Sequence, residues 1–360
     1  MLINLMVVDD SPVIQRLLMR IISQDPSIRL VATANNGQEA IDVLKHSIVD
    51  VMLLDLQMPV MSGLEAIPHL LKIRPKLKII IVSSLAAPDA KCTIEALSLG
   101  AADYLEKPNN KIVLEQFTQD LFFKIKALGV GVAEALPLAV FTQQSIISPI
   151  INKVELEGQL KIKPQPHFFI PDLIAIASST GGPRALLEVL GGVSQEFLNN
   201  NIILITQHIK DDFVDLLVEN INSISKLHCR KAVDREELQK GYIYLAPSDL
   251  HMEIHDVGNK LIVRLSDAPP ENFCRPSADP MFNSIAKLSI KALAIVLTGI
   301  GCDGLNGAKS MSEKGDVIIA QDKETSVVWG MPGAVSMAGI CSAILPLHRI
   351  AAYIEKSCTA

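Results

Sequence analysis

The sequence predicts an α/β protein in which a linker joins two domains, each built on a parallel sheet. Residues 1–128 alternate five short apolar runs with five amphipathic stretches, a pattern typical of a doubly wound parallel sheet. A second series of apolar runs begins near residue 170 and also leads into helical stretches. Residues 129–169 carry four prolines and no sustained periodicity. Because compact domains rarely contain so long a connection, we expect domains at 1–128 and 170–360 and a linker at 129–169.

The composition is that of a soluble globular protein and excludes several classes of function. Hydrophobic residues make up 49% and charged residues 20% of the 360 residues, and the net charge is -6. The chain has no basic stripe and no basic recognition helix, so we expect no nucleic-acid partner. No apolar run reaches the about 20 residues of a membrane span. The apolar start at 1–8 lacks a charged segment before it and leads into Asp9, so we expect neither membrane insertion nor a signal peptide.

The cysteine pattern also points to a cytoplasmic protein. The six cysteines are scattered and form no CxxC pair, which argues against a zinc site and against a disulfide framework. We therefore expect reduced thiols and a cytoplasmic location.

In the N-terminal half, periodicity predicts five strands and five helices in alternation. Each helical stretch has apolar residues at three- and four-residue steps, as expected for a helix packed on a sheet. The predicted strands are 3–8, 28–33, 51–54, 78–82 and 103–105, and the predicted helices are 12–22, 37–45, 63–73, 88–97 and 111–127.

Polar residues follow these strands at their carboxyl ends, which is where such sheets bind ligands. They are Asp9 and Asp10 after the first strand, Asp55 after the third, Ser83 and Ser84 after the fourth, and Lys107 after the fifth. Carboxylates brought together repel one another unless a hard cation lies between them, and oxygen ligands suit Mg²⁺. The carboxylate beside such a metal becomes a target for phosphoryl transfer.

With these residues, the half resembles the flavodoxin-like receiver domain of two-component response regulators over all five strands. The resemblance implies that Asp55 accepts the phosphoryl group, that Asp9 and Asp10 with Asp55 bind Mg²⁺, and that Lys107, Ser83 and Tyr104 respond to the phosphate. A flavodoxin-like cofactor domain is the rival interpretation. It lacks support because Ser11 and Pro12 stand where a flavin phosphate loop would follow the first strand.

The C-terminal half opens with a strand, a sharp turn and a helix over residues 173–184. Gly181 and Gly182 allow a tight turn, and Pro183 suits a first helical position. The N–H groups that open a helix have no intrahelical partner, so an oxyanion beside Ser179 would be stabilised. Ser179 is therefore a candidate nucleophile, although such turns also serve as plain caps or phosphate-binding loops.

A candidate base and a candidate orienting acid follow two other apolar runs. His208 comes after the run 202–206, and Asp303 comes after the run 292–298. A serine hydroxyl needs a base whose pKa lies near neutrality, and an imidazole needs a carboxylate to hold one tautomer. Strands near 229–233, 242–246, 251–255 and 260–265 suggest an antiparallel excursion between these two runs.

Structural roles remain open for the same residues at this point. Asp303 could cap the helix that follows Gly304. The histidines that compete with His208 for the role of base are His167, His228, His251 and His255.

Several motifs in this half resemble the catalytic domain of the chemotaxis protein-glutamate methylesterases, a Rossmann-like α/β fold that follows a receiver in that family. They are 176–183, 207–208, 241–247 with Asp249 and His251, 275–279, 297–304, 321–322 and 330–332. The resemblance implies that Ser179 is the nucleophile, His208 the base and Asp303 the orienting acid. It implies that Thr180, Arg275 and Ile300 shape the oxyanion and substrate site.

The implied function is a phosphorylation-gated serine esterase without a cofactor for hydrolysis. Its partners would be methyl-accepting chemoreceptors, whose glutamate esters and glutamines it modifies, and a sensor histidine kinase as phosphodonor. The chain departs from the family pattern at Ile209, Lys210 and Ile300. These departures leave room for an alternative, a response-regulated binding module with an inactive esterase fold.

Overall fold

A computed structural model describes residues 2–84, 87–108, 111–129, 160–164, 169–224 and 228–358. Most of the predicted linker, including 130–159, lies outside the described residues. Its described part, 160–164, contacts the C-terminal half through Lys163. The N–H of Lys163 donates to the carbonyl of Cys341, and its Nζ donates to the carbonyl of Ser312.

The N-terminal half forms a five-stranded parallel sheet in the order β2-β1-β3-β4-β5, which confirms the predicted doubly wound fold. Side chains of Ser11, Asn36 and Ser62 cap three of its helices, so these helices begin where the sequence supplies an N-cap residue. The strands are β1 Ile3–Val8, β2 Ile28–Ala34, β3 Val51–Leu54, β4 Lys78–Ser83 and β5 Asp103–Glu106, and the helices are α1 Pro12–Ile22, α2 Gly37–Leu44, α3 Gly63–Ile73, α4 Ala87–Leu99 and α5 Lys111–Gly129.

The C-terminal half is built on a seven-stranded sheet in the order β14-β13-β12-β6-β7-β9-β8. Its strands are β6 Leu173–Ser178, β7 Ile203–Gln207, β8 His228–Lys231, β9 Tyr242–Leu245, β12 Ala292–Val296, β13 Val317–Gln321 and β14 Ala343–Leu345. The helices are α6 Gly182–Gly191, α7 Gln195–Asn200, α8 Asp211–Ile224, α9 Ala278–Ala286, α10 Leu305–Lys314, α11 Met331–Met337 and α12 Leu347–Cys358. The central strands are buried on both faces, which explains their continuous apolar sequences.

The antiparallel excursion is smaller than the sequence suggests. Among the strands of the described residues, only β10 His251–Asp256 and β11 Leu261–Ser266 pair antiparallel, as a two-stranded sheet. Strands β8 and β9 instead pair parallel with each other, and β9 pairs parallel with β7 in the main sheet. Apolar periodicity identifies a strand but does not give the direction of its partner, so the sequence could not separate these two cases.

The two halves share a buried interface. Helix α4 of the N-terminal half packs against α6 and α8 of the C-terminal half. Apolar residues from both halves form one continuous cluster there, which includes Ile94, Leu97, Leu186 and Phe213. Among the described residues, no helix combines the length and the apolar character that crossing a membrane requires.

Phe282 of α9 offers a test of the packing between α9 and α10 within the C-terminal half. Its side chain is fully buried and packs against the start of α10 near Gly304 and Gly307. Phe282→Ala should lower the free energy of unfolding by about 3 to 5 kcal/mol, because it leaves a cavity between two helices. Urea titration monitored by circular dichroism would measure this.

The matched control is Phe123→Ala, which removes a phenylalanine that is 42% exposed. This control should cost less than about 1 kcal/mol. Similar losses in the two variants would contradict the packing described here.

Candidate active site

The turn between β6 and α6 brings Ser179 to the carboxyl edge of the sheet. Gly181 has φ +78, a left-handed conformation that most other residues adopt only with strain, and α6 begins at the next residue. The N–H of Ser179 donates to the carbonyl of Thr298 at the end of β12. A Cβ atom on Gly299 would lie 2.8 Å from the Cβ of Ser179, so this glycine leaves the serine its space.

The two adjacent serines have different surroundings. Ser178 is completely buried, and its hydroxyl donates to Oε1 of Gln207 at 2.6 Å. Nε2 of Gln207 donates to the carbonyl of Ser179 at 3.0 Å and so fixes the turn from β7. Ser179 is half-buried. Its hydroxyl is the more accessible of the two.

His208 and Asp303 form a direct pair. Nε2 of His208 lies 2.7 Å from Oδ2 of Asp303, and the His208 side chain is 12% exposed. Burial by itself would lower the pKa of His208, but the hydrogen bond to Asp303, the contact with Cys274 and the negative charge of Asp303 outweigh it and raise this pKa. The carboxylate therefore holds the ring in an orientation in which Nδ1 is the nitrogen that does not contact Asp303.

The carboxylate of Asp303 is 2% exposed and receives hydrogen bonds from several segments. Its donors besides His208 are the amide of Asn272, the hydroxyl of Ser277 and the N–H groups of Ala278, Asp279 and Gly304. Burial favours the protonated acid, but His208 and these donors lower the pKa of Asp303 well below its usual range. Two of the N–H groups open α9, where the helix dipole also favours a negative charge.

Ser179 and His208 lie side by side, but no hydrogen bond joins their side chains in the described structure. Residues Ser178 and Gln207 pair in the register of β6 and β7, so the next residues on each strand are roughly 5 Å apart. Nδ1 of His208 instead lies 3.4 Å from Sγ of Cys274. Catalytic hydrogen bonds are often long before substrate binds, so this arrangement is compatible with a role for Ser179.

The described competing histidines have other surroundings. His251 is 1% exposed, and its Nδ1 accepts the N–H of Ser277, whose hydroxyl donates to Asp303. His228 packs on the ring of Tyr242, and His255 is exposed beside Glu253. His167 lies outside the described residues. Among the described histidines, only His208 contacts Asp303.

The three predicted substrate-site residues differ in what they contact. The hydroxyl of Thr180 donates to the carboxylate of Asp103 in the N-terminal half. Ile300 is half-buried and packs against an apolar cluster of that half, which contains Leu121. Arg275 donates through Nη1 to two backbone carbonyls of its own loop, at 267 and 268, and its Nε has no hydrogen-bond partner among the described residues.

The candidate oxyanion donors are backbone N–H groups of the turn after β6 and of the loop after β12. Within the described part of the chain, the N–H groups of Thr180 and Ile300 form no hydrogen bond. The N–H of Gly181 is bonded to the carbonyl of Ala102, which belongs to the N-terminal half. The N-terminal half thus occupies one donor at the start of α6.

Two further contacts join the N-terminal half to the loop after His208. The N–H of Lys210 donates to the hydroxyl of Tyr104 at 3.3 Å, and Nζ of Lys210 lies 2.9 Å from Oε2 of Glu106. The ring of Tyr104 packs on Phe213 of α8 at 4.5 Å between centroids. The end of β5 therefore lies over the loops that carry Ser179 and His208.

The second predicted site lies at the carboxyl edge of the N-terminal sheet. Carboxylate oxygens of Asp9, Asp10 and Asp55 lie within 4.8 Å of one another. Nζ of Lys107 contacts Asp9 at 2.9 Å and Asp55 at 2.8 Å. Burial raises the pKa of Asp55, against the opposing effect of Lys107. Ser83 is buried at the end of β4, beside this group.

Comparison with known proteins assigns each half of the chain to a family. The family model described as CheB methylesterase matches residues 174–354, and the model described as response regulator receiver domain matches residues 5–119. The chain belongs to the CheB methylesterase family. The curated relatives include a protein-glutamate methylesterase/protein-glutamine glutaminase of Rhodospirillum centenum, 43% identical over 98% of this chain and 93% of that protein.

Other relatives agree with this family membership. A protein of the same name from Rhodospirillum rubrum is 41% identical over 99% of this chain and 95% of its own length. The crystal structure of the Thermotoga maritima CheB methylesterase catalytic domain matches with a TM-score of 0.50 and 33% identity. That match covers 52% of this chain and 98% of the solved one. Within this CheB family chain, the motifs 176–183, 207–208 and 297–304 converge at one edge of the second sheet.

Sequence reasoning missed the residues that hold Asp303 and the thiol at His208. Asn272, Cys274 and Ser277 lie just before α9, in the segment that also carries the predicted site residue Arg275. Nothing in the local pattern indicates which way such a loop folds. A buried carboxylate, however, requires several hydrogen-bond donors. If Asp303 is expected to be buried, polar residues from other segments of the chain must therefore be expected to contact it.

Titration of His208 tests the described pair. Its pKa in the intact chain should lie above the ordinary 6.5, because Asp303 stabilises the protonated ring. In Asp303→Asn this stabilisation disappears while burial remains, so the pKa of His208 should fall by about 1 to 3. Nuclear magnetic resonance of the labelled imidazole would follow both titrations.

Asp316→Asn is the matched control, since Asp316 is also buried but bonds to Ala292 at the opposite edge of the sheet. It should leave the pKa of His208 unchanged. An equal pKa of His208 in the parent and in Asp303→Asn would rule out the proposed influence of Asp303.

Proposed function

We propose that this chain is a protein-glutamate methylesterase of chemoreceptors, and also a glutamine deamidase, in which the receiver covers Ser179 until Asp55 is phosphorylated. The observation that carries the proposal is the His208–Asp303 pair, located beside Ser179 at the ends of neighbouring strands. The names of the relatives support the choice of substrate.

In the proposed reaction, the hydroxyl of Ser179 attacks the γ-carbonyl carbon of a glutamate methyl ester. Nδ1 of His208 takes the serine proton, and Asp303 stabilises the resulting imidazolium. The N–H groups of Thr180 and Ile300 are the proposed donors to the tetrahedral oxyanion. His208 then returns the proton to the leaving methoxide, so that methanol departs and an acyl-enzyme remains.

Water completes the cycle. His208 deprotonates a water molecule, which attacks the acyl carbon and releases glutamate and free Ser179. A glutamine side chain would form the same acyl-enzyme with ammonia as the leaving group, so one site supports both reactions. The proposed hydrolysis uses protein groups alone.

Phosphorylation is the proposed control. Asp9, Asp10 and Asp55 are the residues that would hold Mg²⁺, a hard cation suited to three carboxylates, and it would offset the charge of the phosphoryl oxygens. A sensor histidine kinase is the proposed phosphodonor. The charge added at Asp55 would draw Lys107 and Ser83 to the phosphate, and Tyr104 would follow.

The contacts of β5 explain how this change would reach the esterase site. Ala102, Asp103, Tyr104 and Glu106 bond to the loops after β6 and β7 in the resting arrangement. A shift of Tyr104 would remove its bond to Lys210 and the packing on Phe213. The receiver would then separate from the cleft, which is a change between two domain packings.

Replacing the proposed nucleophile tests the chemistry. Ser179→Ala should lower methanol release from methylated receptor membranes by at least about a thousandfold, because no acyl-enzyme can form. Ser178→Ala is the matched control, which loses a buried hydrogen bond but keeps activity within about tenfold. Near-parental turnover by Ser179→Ala would refute the assignment.

Removing the ion pair between the halves tests the gating. Glu106→Gln should raise basal methanol release of the unphosphorylated chain by up to about fivefold, since a partly exposed pair is worth at most about 1 kcal/mol. Acetyl phosphate with Mg²⁺ should then stimulate the variant by a smaller factor than the parent.

Glu237→Gln removes an exposed pair with Lys260 in the antiparallel region and serves as control. Its basal rate should equal that of the parent. If Glu106→Gln and Glu237→Gln behave alike, the Lys210–Glu106 contact does not hold the receiver on the cleft.

A further inference from the structure

The loop before α9 contains a tight turn that the proposed esterase mechanism does not use. Asn272 and Phe273 both have positive φ, at 52 and 63, and Glu271 and Cys274 form an isolated antiparallel bridge. The turn directs Asn272 to Asp303, as described above, and Cys274 to His208. Phe273 between them is 82% exposed, so the turn lies at the protein surface.

Cys274, His208 and Asp303 have the mutual arrangement of an activated nucleophile. The thiol sulfur lies 3.4 Å from Nδ1 of His208, and the other ring nitrogen is bonded to the buried Asp303 at 2.7 Å. A nucleophile beside a base that a third group orients is the geometry by which such centres are recognised. In the resting chain Cys274, and not Ser179, is the nucleophile in contact with the base.

We propose that Cys274 is a second nucleophile on His208 and a modification site for hydroperoxides, and that its oxidation to sulfenic acid switches off the serine esterase. The loss of esterase activity rests on the function proposed above, whereas the reactivity of the thiol does not.

The proposed oxidation converts the thiol of Cys274 to a sulfenic acid. His208 accepts the thiol proton, and the thiolate attacks one oxygen of the hydroperoxide, so that an S–O bond forms and the O–O bond breaks. The second oxygen leaves with the bonding electrons and receives the proton from His208, giving water or an alcohol. Sulfur is oxidised by two electrons and the peroxide is reduced by two. Two equivalents of a thiol reverse the change through a mixed disulfide.

Inhibition follows from the single ring nitrogen that both nucleophiles need. Asp303 holds Nε2, so Nδ1 is the base nitrogen for Ser179 as well as for Cys274. A sulfenic acid adds an oxygen at the sulfur that already contacts Nδ1. The Ser179 hydroxyl then cannot reach this nitrogen.

The environment of Cys274 differs from that of Cys229, Cys302 and Cys341. Cys229 and Cys341 are buried, and burial raises the pKa of each to about 12, which keeps them as inert thiols. Burial and nearby carboxylates also raise the pKa of the Cys302 thiol, although this residue is exposed. Cys274 is half-buried and in direct contact with an imidazole, a setting in which reactive cysteines are found.

Sulfenic acid trapping tests the reactivity. The intact chain would be treated with hydrogen peroxide and dimedone, and labelling of each cysteine would be followed by peptide mass spectrometry. Cys274 should be labelled at least about ten times faster than Cys302, and His208→Gln should remove this advantage. The advantage should also disappear in guanidinium, which tests the folded environment without any substitution. Equal rates for Cys274 and Cys302 in the folded chain would overturn the proposal.

A second experiment tests the oxidation of Cys274 separately from the esterase role of Ser179. Ser179→Ala should still be labelled on Cys274, because the thiol does not depend on the serine. Peroxide should abolish methanol release by the parent chain, and dithiothreitol should restore it. Peroxide should not lower the rate of methanol release by Cys274→Ala below the rate of the same variant before treatment. Peroxide should inhibit methanol release by Cys302→Ser as strongly as it inhibits the parent. Peroxide inhibition that persists in Cys274→Ala would overturn the switch.

Discussion

The site depends on keeping one carboxylate charged in a nearly dry environment. Asp303 is 2% exposed, and a buried charge of this kind is stable only when donors surround it. Ser277 and Ala278 at the start of α9, Asn272 from the preceding turn and His208 from β7 supply these donors. The bond that orients the base is therefore part of the packing between separate segments. A change in any of them would alter the imidazole as well as the fold.

The two halves meet through the same edges that carry their chemistry. Parallel strands bring their carboxyl ends to one edge of a sheet, and in this chain the end of β5 contacts the loops after β6 and β7. Tyr104 joins the receiver to Lys210, two residues beyond His208. Tyr104 is therefore the residue through which the proposed switch would reach the loop after His208. The Lys210 side chain, a departure from the family pattern, adds an ion pair to this contact.

The order of strands and helices in the N-terminal half could be predicted, because short-range periodicity determines it. Ser179, His208 and Asp303 could be selected together only through the family resemblance, since spacing in the sequence does not show which side chains meet. The parallel pairing of β8 with β9 could not be predicted, since pairing direction depends on contacts between distant residues. The contact of Cys274 with His208 also could not be predicted from the sequence. This contact depends on a turn in which two residues other than glycine have a left-handed backbone conformation. Such a conformation is uncommon for these residues and is not indicated by the sequence.

The most direct measurement of the central claim is site-resolved labelling by a serine-reactive phosphonate. The intact chain would be incubated with the probe, with and without acetyl phosphate and Mg²⁺, and the adduct located by peptide mass spectrometry. The account predicts an adduct on Ser179 that forms faster once Asp55 is phosphorylated, because the receiver contacts at Thr180 and Gly181 are then released. Absence of an adduct on Ser179 in both conditions would contradict the account, as would a rate that phosphorylation leaves unchanged.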